Sequence, residues 1–357
     1  MSAELRFATI GTSAICERFI DAVERTDGAQ YVASYSRSLA KAHEFADKHH
    51  ARLAFDNLDT LAGSSAVDAV YIASPNALHA PQAKKMLSAG KHVLVEKSFA
   101  SNTAEAASVF ACADENGVVA MEAMRNLYDP GFEETEHVMP QLGTVHAANL
   151  RFSKITSRMA RLRAGARINV FDPRLSEGAL MDIGVYAVEP AVALFGVPER
   201  IAAAGVMGNV PEEPADSPYR LVDLSGEILL EYSKMVASIG YGKTYDSLIP
   251  CEIAGDLGTL SIRSIANFSG LGLSMHEDKG MIYDTGKGSE TNLHVDTPHN
   301  DMVCELACFL KATGGDKEAR SRIARFRQVT LDSLAVMDEA RSQLNVGFPS
   351  DMATQFK

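Results

Sequence analysis

Leu5-Arg6-Phe7-Ala8-Thr9-Ile10-Gly11-Thr12-Ser13-Ala14-Ile15-Cys16 opens the chain with a short apolar run that stops at a glycine. Helical spacing begins at once, over 15–25. A buried strand that turns through one glycine into a helix is the first step of a parallel sheet covered by helices. The pattern then repeats. Residues 31–35 are β-rich, 39–49 helical, and 67–73 continuously apolar before the breaker Ser74-Pro75-Asn76. Residues 81–89 are helical and stop at Gly90, 92–95 read as another buried strand, 103–115 as a helix and 118–121 as one more strand. Strands that are apolar throughout need cover on both faces, and the right-handed crossover leaves a doubly wound α/β sheet as the simplest topology.

After about residue 123 the texture changes. Strand signals fall at 145–153, 200–207, 226–232, 235–241, 250–254, 259–263, 271–276 and 280–284, joined by segments rich in Gly, Pro, Asp and Asn. Such connections suit hairpins, so a mostly antiparallel open sheet is expected, with one helix near 184–194 and helices again at 300–312 and 324–344. The 357 residues therefore divide into a doubly wound domain over 1–122 and an α+β domain over 123–357 that includes the carboxy-terminal helices.

Charge narrows the partners. Acidic residues outnumber basic ones, 46 to 34, and the net charge of −12 repels phosphate backbones, so nucleic acid is not expected. No apolar run is long enough to span a bilayer, and no membrane partner is expected. A strand signal that starts at Leu5 leaves no room for a signal peptide, and five scattered cysteines do not read as a disulfide framework. The cytoplasm is the expected compartment. Cys304 and Cys308 lie four apart without a second ligand pair, so no metal site is expected.

The chemistry-bearing residues begin at the glycine turn. Gly11, Thr12, Ser13, Ala14 and Ile15 stand where dinucleotide-binding folds place Gly-x-Gly-x-x-Gly/Ala, although only the first glycine is kept. Ser13 and Cys16 are small enough to let the backbone approach a pyrophosphate. Alone, a plain strand-to-helix turn explains the stretch as well. At the end of the second strand, NAD-specific folds carry an acid for the ribose 2′-hydroxyl. Here Ser36, Arg37, Ser38 and Lys41 follow instead. Hydroxyls and a guanidinium suit a 2′-phosphate, so NADP is expected, with NAD the second choice and a solvated Arg37 the plain alternative.

Four further segments resemble one family. Ser74-Pro75-Asn76-x-x-His79, Val95-Glu96-Lys97, Gly178-Ala179-Leu180-Met181-Asp182-Ile183-Gly184-Val185-Tyr186 and Ile253-Ala254-Gly255-Asp256-Leu257-Gly258 are similar, in order, to motifs of the Gfo/Idh/MocA oxidoreductases. Within that family the Tyr186 form is most like the dihydrodiol dehydrogenase and glucose–fructose oxidoreductase branches. The resemblance implies a Rossmann domain binding cofactor through Ser74, Pro75, Asn76, His79, Glu96 and Lys97. It also implies a homo-oligomer, dimer or tetramer, that covers the far face of the open sheet. The implied activity is hydride transfer between nicotinamide and a secondary alcohol or carbonyl of a sugar, polyol or cyclic diol.

Physical reasoning assigns parts. An ammonium at Lys97, leaving a buried parallel strand, orients a substrate oxygen and stabilises charge on it. Asp182 and Tyr186, four apart, share a helix face; Tyr186 would pass a proton and Asp182 accept a substrate hydroxyl bond. Without the resemblance, an ordinary capped helix accounts for that spacing. Glu122 and Arg125 follow the last strand of the first domain, Arg125 as a substrate contact or either as part of an ion pair. Arg158, Arg161, Arg163 and Arg167 form a basic stretch that suits an anionic substrate or, more simply, a solvated or interface face. Two departures stand out: Ser98 where the family has proline, and Ser176-Glu177 in place of two glycines. They keep open the alternative of a non-catalytic NAD(P)-binding sensor of the same fold.

Overall fold

Six parallel strands make the first sheet of the computed structural model, which describes residues 4–276 and 290–354. They are β1 (Leu5–Ile10), β2 (Ala29–Tyr35), β3 (Leu53–Phe55), β4 (Ala69–Ile72), β5 (His92–Glu96) and β6 (Ala120–Ala123). Their order is β3-β2-β1-β4-β5-β6, so the winding reverses between β1 and β4. The helices between them are α1 (Ala14–Glu24), α2 (Leu39–Lys48), the short α3 (Leu58–Ala62), α4 (His79–Ser88) and α5 (Thr103–Asn116). In α1, Cys16, Phe19, Ile20 and Val23 recur at helical spacing and all are buried, which fixes its apolar stripe on the sheet. Sequence reading overlooked β3 and α3, three and five residues long. Periodicity needs more residues than either offers.

Register decides where a site can form. Ile10 pairs with Tyr35 and Ile72, Ile72 with Val95, and Val95 with Glu122. The residues that follow these partners, Gly11, Ser36, Ala73, Glu96 and Ala123, therefore leave the sheet along one carboxyl edge. Ligands of doubly wound sheets bind at that edge, at the point where the strand order reverses.

The second sheet has eight strands. After α6 (Pro130–Val138) come β7 (Val145–Ser153), α7 (Met159–Arg163), α8 (Val185–Phe195), β8 (Arg200–Asn209), β9 (Leu221–Glu231) and β10 (Val236–Gly242). They are followed by β11 (Cys251–Gly255), β12 (Gly258–Ser264), β13 (Ser269–Met275) and β14 (Glu290–Leu293). The order is β14-β13-β12-β11-β7-β10-β9-β8, antiparallel except for the parallel pair of β7 with β10. Helix α8 lies against β7 and β10 and covers one face. The strand expected over 280–284 lies outside the described residues.

The other face of this sheet differs from a simple apolar patch. Leu229, Val236 and Val206 are exposed at its β8–β10 end. Across β10, β7, β11 and β12, however, the cross-strand partners Ser238, Asn149, Glu252 and Ser261 line up as a polar row.

The tail forms α9 (Met302–Thr313), α10 (Lys317–Gln343) and α11 (Pro349–Thr354). Two compact units result. The first takes the chain to Arg125, then Pro298–Leu331 and the segment from Pro349, and the second takes Asn126–Thr297 and Asp332–Phe348. The helices after residue 297 are thus shared out, where sequence reading gave them all to the second region, because α9 packs on α1 while the end of α10 reaches β8. Among the described residues no helix is long and apolar enough to cross a membrane, and no group of three or more His, Cys, Asp or Glu side chains is arranged to hold a metal.

Candidate active site

The glycine turn has no room for a side chain. Gly11 sits at φ +123°, and a Cβ there would stand 2.8 Å from the Ala73 carbonyl oxygen and 3.2 Å from Cys16 Sγ. Ser13 is the N-cap of α1 and its hydroxyl makes no capping bond, while Ser13 and Ala14 are exposed. Open amide groups at a helix start, reached through a glycine with no Cβ, fit a pyrophosphate. Next to them, the end of β2 places Ser36 half-buried and Arg37 and Lys41 exposed, without an acid. The donor set suits a 2′-phosphate.

At the end of β4, Ser74 Oγ donates to Gln82 Oε1 at 2.7 Å and Asn76 is buried in a single helical turn after Pro75. His79 is buried, with Nδ1 2.9 Å from the Ser98 carbonyl oxygen and Nε2 2.8 Å from that of Ser74. Its ring therefore ties the loop after β4 to the loop after β5 rather than facing a ligand. Burial lowers its pKa to about 4, against the pull of the two carbonyls.

Glu96 is likewise committed to the protein. It accepts from the Tyr71 hydroxyl and from the Lys97 amide at 3.2 Å. Burial raises its carboxyl above the ordinary range, while the Lys97 and Arg125 charges and the Tyr71 bond pull it down. Lys97 follows, half-buried, and the Lys97–Ser98 peptide is cis. Glu122 holds this corner: Oε1 accepts from the Phe99 amide at 2.8 Å and Oε2 from Thr330 Oγ1 at 2.6 Å. Arg125 pairs with Asp301, which also takes Arg18 at 2.8 Å. So Glu122 is a brace, and Arg125 brings its charge to the edge through an ion pair inside the first unit. Glu305, fully buried on α9, has neither carboxylate oxygen hydrogen-bonded among the described residues, and burial raises its pKa well above the ordinary value.

In the second unit, Asp182 and Tyr186 do not stand on one regular α-helix. Leu180–Gly184 is a wider π-type turn that runs into α8. Its entry is pinned by Asp223, whose Oδ2 accepts from the Leu180 amide at 2.6 Å. A Cβ at Gly178, φ +156°, would fall 2.2 Å from Asp223 Oδ1. Burial pushes the Asp223 carboxyl up to about 6, against the amides of Leu180 and Ala179. Asp182, from the turn, accepts from Lys243 Nζ. Tyr186, 8 % exposed, sets its ring edge-on to Phe152 at 5.5 Å. Asn126 Nδ2 donates to the Tyr186 carbonyl at 3.2 Å. Ser176 adopts φ +57°, the left-handed conformation that a glycine would supply at no cost. The basic stretch splits: Arg167 is held by Asp172 at 2.8 Å and Glu213 at 3.3 Å, while Arg158, Arg161 and Arg163 are exposed.

The first unit thus gathers Gly11 to Ile15, Ser36, Arg37, Lys41, Ser74 to Asn76, Glu96, Lys97 and Arg125 on one sheet edge. The second carries Asp182 on the π-type turn and Tyr186 in the first turn of α8. Sequence reading missed Tyr71, Asp301, Glu305, Asp223 and Lys243. Only Lys243 left a trace, since alternation along β10 puts it on the face of the buried Ile239 and Tyr241.

A doubly wound sheet with a glycine cradle at its switch point, joined to an open-sheet unit with an Asp–Tyr turn, defines a dinucleotide-binding oxidoreductase. A family model described as an oxidoreductase family with an NAD-binding Rossmann fold matches residues 5–124. The chain is 37 % identical over 352 residues to the scyllo-inositol 2-dehydrogenase (NADP(+)) of Bacillus subtilis, spanning 98 % of this chain and 100 % of that one. It is 28 % identical to the trans-1,2-dihydrobenzene-1,2-diol dehydrogenase of Xenopus laevis, over 90 % of this chain and 91 % of the other. The fold is shared with a 3-ketoreductase from Actinomadura kijaniata solved with NADP and TDP-benzene, at a TM-score of 0.76 and 22 % identity over 95 % and 98 % of the two chains. The chain belongs to the Gfo/Idh/MocA family of oxidoreductases.

Proposed function

We propose that this protein is an NADP-dependent dehydrogenase or reductase acting on a secondary alcohol, or its carbonyl, in a sugar-like or cyclic polyol substrate. The observation that carries this reading is the carboxyl edge of the first sheet, where a glycine turn without a side chain, an acid-free β2 end and Lys97 leave neighbouring strands. The Gly11–Ile15 turn holds the pyrophosphate, and Ser36, Arg37 and Lys41 take the 2′-phosphate. The cofactor supplies the hydride acceptor or donor. Lys97 orients the substrate oxygen and stabilises negative charge on it. Tyr186 moves the proton to or from that oxygen, and Asp182 accepts a bond from a neighbouring hydroxyl. The NADP-named relative that spans the whole chain supports both cofactor and polyol. The five free cysteines suit a reducing cytoplasm, and the mixed apolar and polar far face of the second sheet suits a homo-oligomer.

Lys97→Met and Tyr186→Phe test the assignment. Each should lower kcat on a cyclic polyol by about 100- to 10,000-fold, with NADPH binding kept. Wild-type turnover in both variants would refute it.

A further inference from the structure

The second unit holds an ion pair that no step above requires. Lys243 follows the last residue of β10, and its Nζ donates to Asp182 Oδ2. The pair is mostly buried, with side-chain exposures of 13 % for Lys243 and 25 % for Asp182. Its geometry is built in. Tyr241 and Lys243 are two apart, so both project to the same face of the strand. Tyr241 lies under the π-type turn, where a Cβ at Gly184 would stand 3.1 Å from Tyr241 Cγ, and Lys243 reaches the turn's carboxylate. The Lys243 backbone is fixed on both sides, its amide donating to Leu224 O at 3.0 Å and its carbonyl accepting from Thr156 N at 2.8 Å.

Stability does not account for such a pair. A mostly buried ion pair pays desolvation that its attraction only about repays, so apolar residues would serve the fold as well. What the pair offers is chemistry. An ammonium has three N–H donors, and among the described residues Lys243 Nζ makes no hydrogen bond other than that to Asp182. A donor and an acceptor are thus presented side by side. That arrangement matches two adjacent hydroxyls, one donating to the carboxylate and its neighbour accepting from the ammonium.

We infer that Lys243 is a positioning and specificity residue, which orients Asp182 and selects substrates with a hydroxyl next to the reacting carbon. The inference rests on the polyol-dehydrogenase reading and adds Lys243 to it. The test compares scyllo-inositol with a deoxy analogue lacking the neighbouring hydroxyl, in the NADP-loaded wild type, Lys243→Met and Lys243→Arg. The wild type should prefer the polyol by at least about tenfold in kcat/KM, since a site built to bond a hydroxyl rejects the analogue without it. Lys243→Met should raise KM for the polyol by about 10- to 100-fold, change kcat by less than about threefold, and lose the preference. Lys243→Arg should restore part of it. A purely structural lysine would instead lower the melting temperature and leave the substrate ratio as it was. A Lys243→Met ratio within twofold of wild type overturns the inference while the polyol reading stands. A wild type that turns over neither compound overturns both.

Discussion

At the carboxyl edge of the first sheet, the groups proposed to face the ligand are backbone amides and strand-end side chains, supplied by consecutive segments in register. On the turn that carries Asp182, the backbone entry is held by Asp223 from β9 and the carboxylate by Lys243 from the end of β10, both side chains from distant strands. One site is carried by topology and the other by packing. The cofactor cradle of the first should therefore fail most severely when its backbone is blocked, and the second should fail by small displacements that leave the fold intact.

The harshest way to break the first site is Gly11→Val. The residue needs φ +123°, and its Cβ would sit 2.8 Å from the Ala73 carbonyl, so both backbone and neighbour oppose it. NADPH affinity, read by fluorescence titration, should fall at least about 100-fold, by analogy with an anion site whose amides no longer point at the ligand. Retained affinity would mean that the cradle is not where the pyrophosphate lies.

Gly178→Ala is the matching blow to the second site. Its Cβ would fall 2.2 Å from Asp223 Oδ1 and push the entry to the turn away from its anchor. Misplacing a catalytic group by about 1 Å costs about 100-fold, so kcat should drop by 10- to 100-fold while NADPH affinity holds. Equal losses in both quantities would abolish the distinction between the two regions.

Legibility in the sequence follows the same divide. Strand-end motifs such as Ser74-Pro75-Asn76 and Val95-Glu96-Lys97 lie in continuous stretches, so the edge they form could be read before any coordinates. Tyr71, Asp301 and Glu305 come together around Glu96 and Arg125 only through the packing of α9 on α1 and β6. Nothing in a linear pattern couples residue 71 to residue 305. Four-residue spacing places Asp182 and Tyr186 on one face of a helix, yet a π-type turn over Leu180–Gly184 carries Asp182 while Tyr186 stands in α8. An inserted turn of that kind is specified by what surrounds it, here Asp223 and Tyr241, and leaves no periodic mark.

Arg37→Ala sharpens the comparison within the first site. A charge-assisted bond to a 2′-phosphate at an exposed strand end should favour NADP over NAD by about tenfold. The variant should lose most of that preference, seen as a fall in kcat/KM with NADP and little change with NAD. The effect should shrink as salt rises, because the guanidinium is exposed.

The smallest effect concerns His79, which joins the loops after β4 and β5. Its folded pKa is about 4 against an ordinary value of 6.5, because burial outweighs the two carbonyl partners. A depressed folded value means that neutral His79 contributes stability above pH 6.5, and that this contribution is lost as pH falls toward 4. At pH 6 the loss is about 1 kcal/mol, from unfolded chains that take up the proton the folded ring refuses. For units of this size that corresponds to about 2–4 °C of melting temperature. Other groups also titrate in this window, so the informative quantity is a difference. His79→Gln should melt lower than wild type at pH 8 but lose less on going to pH 6. Parallel curves would mean that the folded ring titrates as the unfolded one does, and a wild type that gains on the variant at pH 6 would mean that the ring is charged in the folded state, held by its two carbonyls. The joint between the loops would then be an ionic one, and the first site would depend on a buried charge as the second does.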